Sequence, residues 1–285
     1  MKSFCIKTNN KKIQDYLLEN FLESKLDLLY VSQNSFSKYE NIIIHYKGNI
    51  QNHFYNTVSE IITSCISNFF ENNLLKTLIN YDYFYFSALE KKQILNIASS
   101  LLDLEKEYYF RTDLIFNAVK KYIQEEKSMI LTGFVNFRLF EYIKVLDKVV
   151  DTSVNQYLIQ KEYLEFINLL KVYISSTPSK TNSVHFVYNK YHNYLLNENY
   201  EIIPINEEFR NTKYVSDISF SKNDYILNTL LTILPKELII HFTSSNQEDE
   251  FINTLKLIFD KRISICTDCN LCEMYKLNKN LFTKN

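Results

Sequence analysis

The spacing of apolar residues changes near residue 53 and again near Pro178, and this double switch restricts the chain to a mixture of helices and sheets. Before the first switch, Ser3 to Lys7, Asp27 to Val31 and Asn41 to Tyr46 read as short strands, and Lys11 to Leu22 reads as an amphipathic helix. From His53 to Ile174 the period is helical. Phe54, Val58, Ile62, Cys65 and Phe69 form one stripe; Leu139, Ile143, Leu146, Val150, Val154 and Tyr157 form a second; Tyr163, Phe166, Leu170 and Tyr173 form a third. Pro178, among serines and threonines, ends the pattern. The expected class is α+β, a mixed α/β chain in three regions: a small α/β segment (1–50), a helical region (51–177) and a C-terminal α/β region (178–285). One continuous domain is equally compatible with the spacing.

The C-terminal region is the most legible. Ser183 to Tyr188 and Asn193 to Leu196 read as a hairpin turning near Asn189. Ser221 and Asp224 form a capping-box start to a helix carrying Leu227, Leu230, Leu231 and Leu234, with Pro235 just past its end. Leu238 to Phe242, a helix from Gln247 to Phe259, and Ile263 to Ile265 then have the order of a βαβ unit. Such a crossover makes its two strands parallel, so their carboxyl ends share one edge of the sheet. His241 and Cys266 both fall at that edge.

Composition excludes several functions. With two glycines in 285 residues, the chain can build neither a glycine-rich phosphate cradle nor a dinucleotide fingerprint, and no nucleotide cofactor is expected. Its 32 basic and 33 acidic side chains almost cancel, so no field draws it to nucleic acid. The opening Met1-Lys2-Ser3-Phe4 lacks an apolar signal region, and the most apolar stretches fall short of the roughly 18 residues a span requires, so a cytoplasmic protein without a membrane span is expected.

In a reducing compartment, clustered cysteines are metal-bound, redox-active or simply reduced. Cys266-Thr267-Asp268-Cys269-Asn270-Leu271-Cys272 places three of the five cysteines at two-residue spacing. Thiolates so spaced can converge on one centre, and His241 at the same edge would complete a Cys₃His zinc site; an iron–sulfur cluster is the alternative cofactor. The competing expectation is a reduced cluster sharing one face of a C-terminal helix, because cysteines often pack as small hydrophobes. Cys5 is a remote candidate for a further ligand. His185 can face the same edge as His241, although a histidine on a half-buried strand is more often a hydrogen-bonded core residue. Arg138, amid Phe and Leu, is expected to clamp a carboxylate, with Glu162 or Glu165 as internal partner. Cys65 falls on an apolar stripe and is expected in the core. Asp147 and Asp151 lie on a solvated face, and Glu248, Asp249 and Glu250 complement a helix dipole.

Four segments in order, Leu131-Thr132-Gly133-Phe134-Val135-Asn136-Phe137-Arg138, Lys161 to Leu170, Leu230 to His241, and Ile258 to Arg262 leading into the cysteines, resemble the YtxC-like sporulation proteins of endospore-forming bacteria. The resemblance covers about residues 128 to 272 and is loose before 120. It implies a cytoplasmic role in spore formation, with protein partners of that programme, and brings no catalytic residue with it. Three functions follow as expectations: a sporulation protein of unspecified chemistry with a C-terminal metal or iron–sulfur element, a metal-dependent enzyme with a cleft near Arg138, or a plain interaction module.

Overall fold

The computed structural model describes residues 1–24, 26–35, 38–188, 193–205, 221–242, 249–266 and 268–277. It is an α+β fold that divides into two compact units, Met1–Gln160 and Lys161–Asn285.

In the first unit, strands β1 (Lys2–Thr8), β2 (Leu29–Ser35), β3 (Glu40–Tyr46) and β4 (Ser128–Ile130) make a sheet of order β2-β3-β1-β4. β1 runs antiparallel to β3, with Lys2 opposite Tyr46, and parallel to β4. The alternation of a half-buried strand places Phe4, Ile6 and Thr8 inward on β1 and Ile42, Ile44 and Tyr46 inward on β3. Helix α1 (Lys11–Glu23) starts at Asn10, whose side chain accepts from the Lys12 amide, and buries Ile13, Leu17 and Phe21. Helices α2 (Gln51–Phe69), α3 (Glu71–Asp82), α4 (Ala88–Leu102), α5 (Glu105–Glu125), α6 (Leu131–Arg138) and α7 (Phe140–Ser176) follow.

One apolar core runs from Phe4 through the α2 stripe to Leu146, Val150, Val154 and Tyr157 on α7, so the small α/β segment and the helical region share it. β4 was not evident in the sequence because three residues carry no period; its pairing with β1 defines it. Inside this unit a charged group is also buried. Arg111 of α5 forms a bidentate pair with Glu71 of α3 (2.7 and 3.1 Å) and donates to the Leu102 carbonyl, while the Tyr142 hydroxyl donates to Glu71 at 2.7 Å. Burial and the carboxylate drive the Tyr142 phenol far up its range, so it remains a donor.

Scarcity of glycine is met by other residues at positive φ: Leu28, Tyr200, Leu234 and Asp260 adopt it, and neither glycine does. Gly48 is needed for closeness instead, since a Cβ there would lie 2.1 Å from the Tyr46 hydroxyl.

In the second unit, β5 (Thr181–Tyr188), β6 (Tyr194–Leu196), β7 (Ile202–Ile203), β8 (Pro235–Phe242) and β9 (Ile263–Cys266) form a mixed sheet of order β7-β6-β5-β8-β9. β5 and β6 are the expected antiparallel hairpin; its turn near Asn189 lies outside the described residues. β8 lies between β5 and β9 and is parallel to both. Helix α8 (Lys222–Ile233) begins with the Ser221/Asp224 capping box and ends at Leu234 in the left-handed region, immediately before Pro235 opens β8. Helix α9 (Glu250–Phe259) is capped by Asp249, which accepts from the Ile252 amide; Gln247 and Glu248, expected in its start, lie outside the described residues. α10 (Asn270–Leu277) follows β9. Val184, Phe186, Leu238 and Ile240 bury one sheet face with Ile226 and Leu230 of α8, Ile252 and Leu255 of α9, and Ile167 and Ile174 of α7.

The third helical stripe differs from expectation. Leu170 packs against this core, but its companions there are Ile167 and Ile174, while Tyr163, Phe166 and Tyr173 are exposed. Apolar residues surround this stretch of helix on nearly every face, so spacing alone cannot fix which face turns inward. Arg262 closes the unit by donating to the Ile174 and Pro235 carbonyls at 2.9 and 3.2 Å and to the Ser179 hydroxyl at 3.1 Å.

Candidate metal centre

The sheet face opposite the α8 and α9 layer carries His185 on β5 and Ile239 and His241 on β8, and there the cysteines converge. The parallel register sets His241 directly opposite Cys266, the last residue of β9. The chain then turns through Asp268 and Cys269 into α10, which brings Cys272 back over the end of β8. Ring packing of Tyr275 of α10 on Tyr194 of β6 (centroids 5.5 Å apart) fixes the helix across the sheet.

The imidazole Nδ1 of His241 lies 3.4 Å from Cys272 Sγ and 3.5 Å from Cys269 Sγ; Cys272 Sγ lies 3.7 Å from Cys269 Sγ and 3.8 Å from Cys266 Sγ. The four donor atoms are all within 4.8 Å of one another. A tetrahedral ion at about 2.3 Å from sulfur and about 2.0 Å from nitrogen requires sulfur–sulfur edges of roughly 3.8 Å and sulfur–nitrogen edges of roughly 3.5 Å. The separations of His241 and Cys269 from Cys272, of His241 from Cys269 and of Cys266 from Cys272 fit these edges. His241 and Cys272 are almost fully enclosed, at 3% and 2% exposure, whereas Cys266 and Cys269 are half-buried.

Electrostatics suit the same chemistry. Burial, then the neighbouring His185, lowers His241 to about 4, so near neutral pH it is the uncharged imidazole that a metal needs. Burial also lowers His185, against the opposing charge of Glu237. Burial and the adjacent thiols push Cys272 up to about 12, and burial with the hydrogen bond to Cys269 raises Cys266. For Cys269 burial acts upward, but it is outweighed by hydrogen bonds from the Cys272 and Leu271 amides at the start of α10 and from the other thiols; its net shift is downward. Of the three thiols, Cys269 is therefore the one that gives up its proton most readily, and a bound cation would displace the protons of the other two.

Of the residues singled out in the sequence, His241, Cys266, Cys269 and Cys272 come together, and His185 joins them through a 2.9 Å contact between its Nδ1 and Nε2 of His241. The expectation of three cysteines on one helix face is corrected: Cys266 ends a strand, Cys269 precedes α10 and only Cys272 lies within it. Cys5 belongs to β1 in the other unit and is no part of the group; Cys65 is buried in the first core. Asp147 and Asp151 are exposed, Asp151 accepting from the Tyr83 hydroxyl at 2.6 Å. Arg138 is exposed at the end of α6, and Glu162 and Glu165 are exposed on α7, so the buried clamp expected of Arg138 is absent among the described residues. That role belongs to Arg111, which the sequence marked only by phase: it is one step of four before Ile115, Val119 and Ile123 on the buried stripe of α5. No described helix is long and apolar enough to cross a membrane.

Fold and site together define an α+β protein whose C-terminal mixed sheet ends in a Cys₃His group that can hold a metal ion. The chain belongs to the YtxC-like family, whose model matches residues 56–264. This match begins earlier than the motifs indicated, taking in the helices from α2 onward; it includes His185 and His241 and ends just before Cys266. The chain is also similar to a protein of Bacillus subtilis (strain 168) described as "Uncharacterized protein YtxC", with 23% identity over 204 residues, 68% of this chain and 71% of that protein. No solved structure matches.

Proposed function

We propose that this protein holds a structural zinc ion through His241, Cys266, Cys269 and Cys272, and that it acts in spore formation through protein partners rather than as an enzyme. The convergence of four donor atoms within 4.8 Å carries the zinc reading. Cysteines on an iron–sulfur cluster bind different irons and stand apart around a multi-atom core, so this compactness favours a single ion. Four protein ligands also fill a tetrahedral shell, which leaves no open position for a substrate or an activated water; closed sites of this kind are structural. The cysteines are all free, as zinc coordination in a reducing cytoplasm requires. Metal analysis of the purified protein tests this: about one zinc per chain is expected, and iron with visible absorbance, or no metal at all, would reject it.

The sporulation role rests on the family resemblance. Deleting the gene in its host should lower the yield of heat-resistant spores while vegetative growth stays close to normal. A variant with Cys266, Cys269 and Cys272 all replaced by serine should fail to restore spores. Normal spore counts after deletion would remove the developmental role; restoration by a triple variant present at normal level would separate that role from the metal centre.

A further inference from the structure

A coordinating imidazole nitrogen must offer a lone pair, so its ring proton sits on the other nitrogen. In His241 the nitrogen facing the sulfurs is Nδ1, at 3.4 and 3.5 Å. With zinc bound, the proton is therefore on Nε2. That atom is 2.9 Å from Nδ1 of His185, and both histidines are buried, at 3% and 8% exposure. A buried N–H without an acceptor would be costly. Among the described residues His185 Nδ1 is the acceptor in reach, and to accept it must itself be unprotonated there, which places the His185 proton on Nε2.

We infer that His185 is the positioning residue of the metal centre: it accepts the hydrogen bond from His241 Nε2–H, holds that ring in the coordinating tautomer and orientation, and so sets how tightly the site binds zinc. The inference rests on the zinc reading above. His185 is itself held in place. It stands opposite Ile239 on β8 and Leu196 on β6, one pleat along from His241 on the same sheet face, and the Tyr200 ring packs on it with centroids 4.8 Å apart. Partners of this kind, one bond removed from a metal, orient the ligand and raise its basicity, and their loss typically weakens binding about 10- to 100-fold.

Competition for zinc between the full chain and a chromophoric chelator tests the role. His185→Leu fills the space without an acceptor and should bind zinc about 10- to 100-fold more weakly than the parent. His185→Asn, whose Oδ1 takes the place of Nδ1, should recover most of that loss; a generic packing defect would not discriminate between the two. Long-range ¹H–¹⁵N spectra of the zinc-loaded parent supply a readout independent of any variant, with both rings expected as the Nε2–H tautomer. Equal affinity of His185→Leu and parent, no recovery in His185→Asn, or a proton on His185 Nδ1 in the loaded protein would each overturn the inference while leaving the zinc site standing. A parent chain that takes up no zinc would overturn both.

Discussion

Replacing Cys272 by serine is expected to empty the metal centre and loosen one end of the C-terminal sheet. Cys272 Sγ touches the other three donors or lies beside them, at 3.4 Å from His241 Nδ1, 3.7 Å from Cys269 Sγ and 3.8 Å from Cys266 Sγ, and the residue is 2% exposed. A serine oxygen is harder to deprotonate and sits on a shorter bond, so the fourth contact is lost rather than weakened. Zinc affinity should fall by more than about 100-fold, since even a group that only hydrogen-bonds to a ligand is worth about 10- to 100-fold. Because zinc binding energy is folding energy, worth about 10–16 kcal/mol in isolated zinc-finger peptides, the variant should melt at lower temperature and lose hydrogen-exchange protection in β8, β9 and α10. Protection in β1, β3 and β4 should hardly change, as those strands belong to the other unit. Cys65→Ala is the matched control, a buried cysteine outside the cluster, and should keep its zinc. Full metal retention by Cys272→Ser, measured after dialysis against a weak chelator, would disprove the site.

The second large effect is expected in the first unit. Arg111→Met should lower its stability by about 3–5 kcal/mol, because the guanidinium is 4% exposed and its removal strands the Glu71 carboxylate beside the buried Tyr142 hydroxyl. The pair also ties α3 to α5, and its bond to the Leu102 carbonyl satisfies the end of α4. Desolvation of two charges offsets most of their attraction, so removing both should be milder than removing one. Denaturant titration of Arg111→Met and of Arg111→Met with Glu71→Leu checks this. The double variant should recover at least half of the loss. A single variant within about 1 kcal/mol of the parent would mean that the carboxylate finds water, and that the network adds little to the fold.

Arg111 and Arg138 mark where sequence reasoning reached its limit. Arg138 stands among Phe and Leu in the linear order, but it is the last residue of α6 and points into solvent. Arg111 sits in a segment rich in Glu, Lys and Tyr, yet shares the buried phase of Ile115 and Val119. Linear neighbourhood misled where helical phase would have served. On the second half of α7 even phase fails, because Ile159, Phe166, Leu169 and Val172 are apolar and exposed while Ile167 and Ile174 face the core.

What the sequence determined by itself follows from local physics. The switch from period two to period 3.6 and back specified an α+β chain, the Ser221/Asp224 box and Pro235 bounded α8, and the strand–helix–strand order made β8 and β9 parallel, which set His241 across from Cys266. Spacing of the cysteines made a shared centre feasible, but equally allowed three thiols on one helix face. Tertiary structure decided between them. Cys266 ends in β9, the chain turns at Cys269, and α10 folds back over the sheet against Tyr194, so that Cys272 meets the imidazole. It also selected His185 as the partner of His241, since diagonal neighbours on adjacent parallel strands become neighbours only once strands 56 residues apart in sequence are brought into register. Helical and strand periods describe which face of an element is apolar; which distant element covers that face depends on long-range pairing, and no local spacing encodes it.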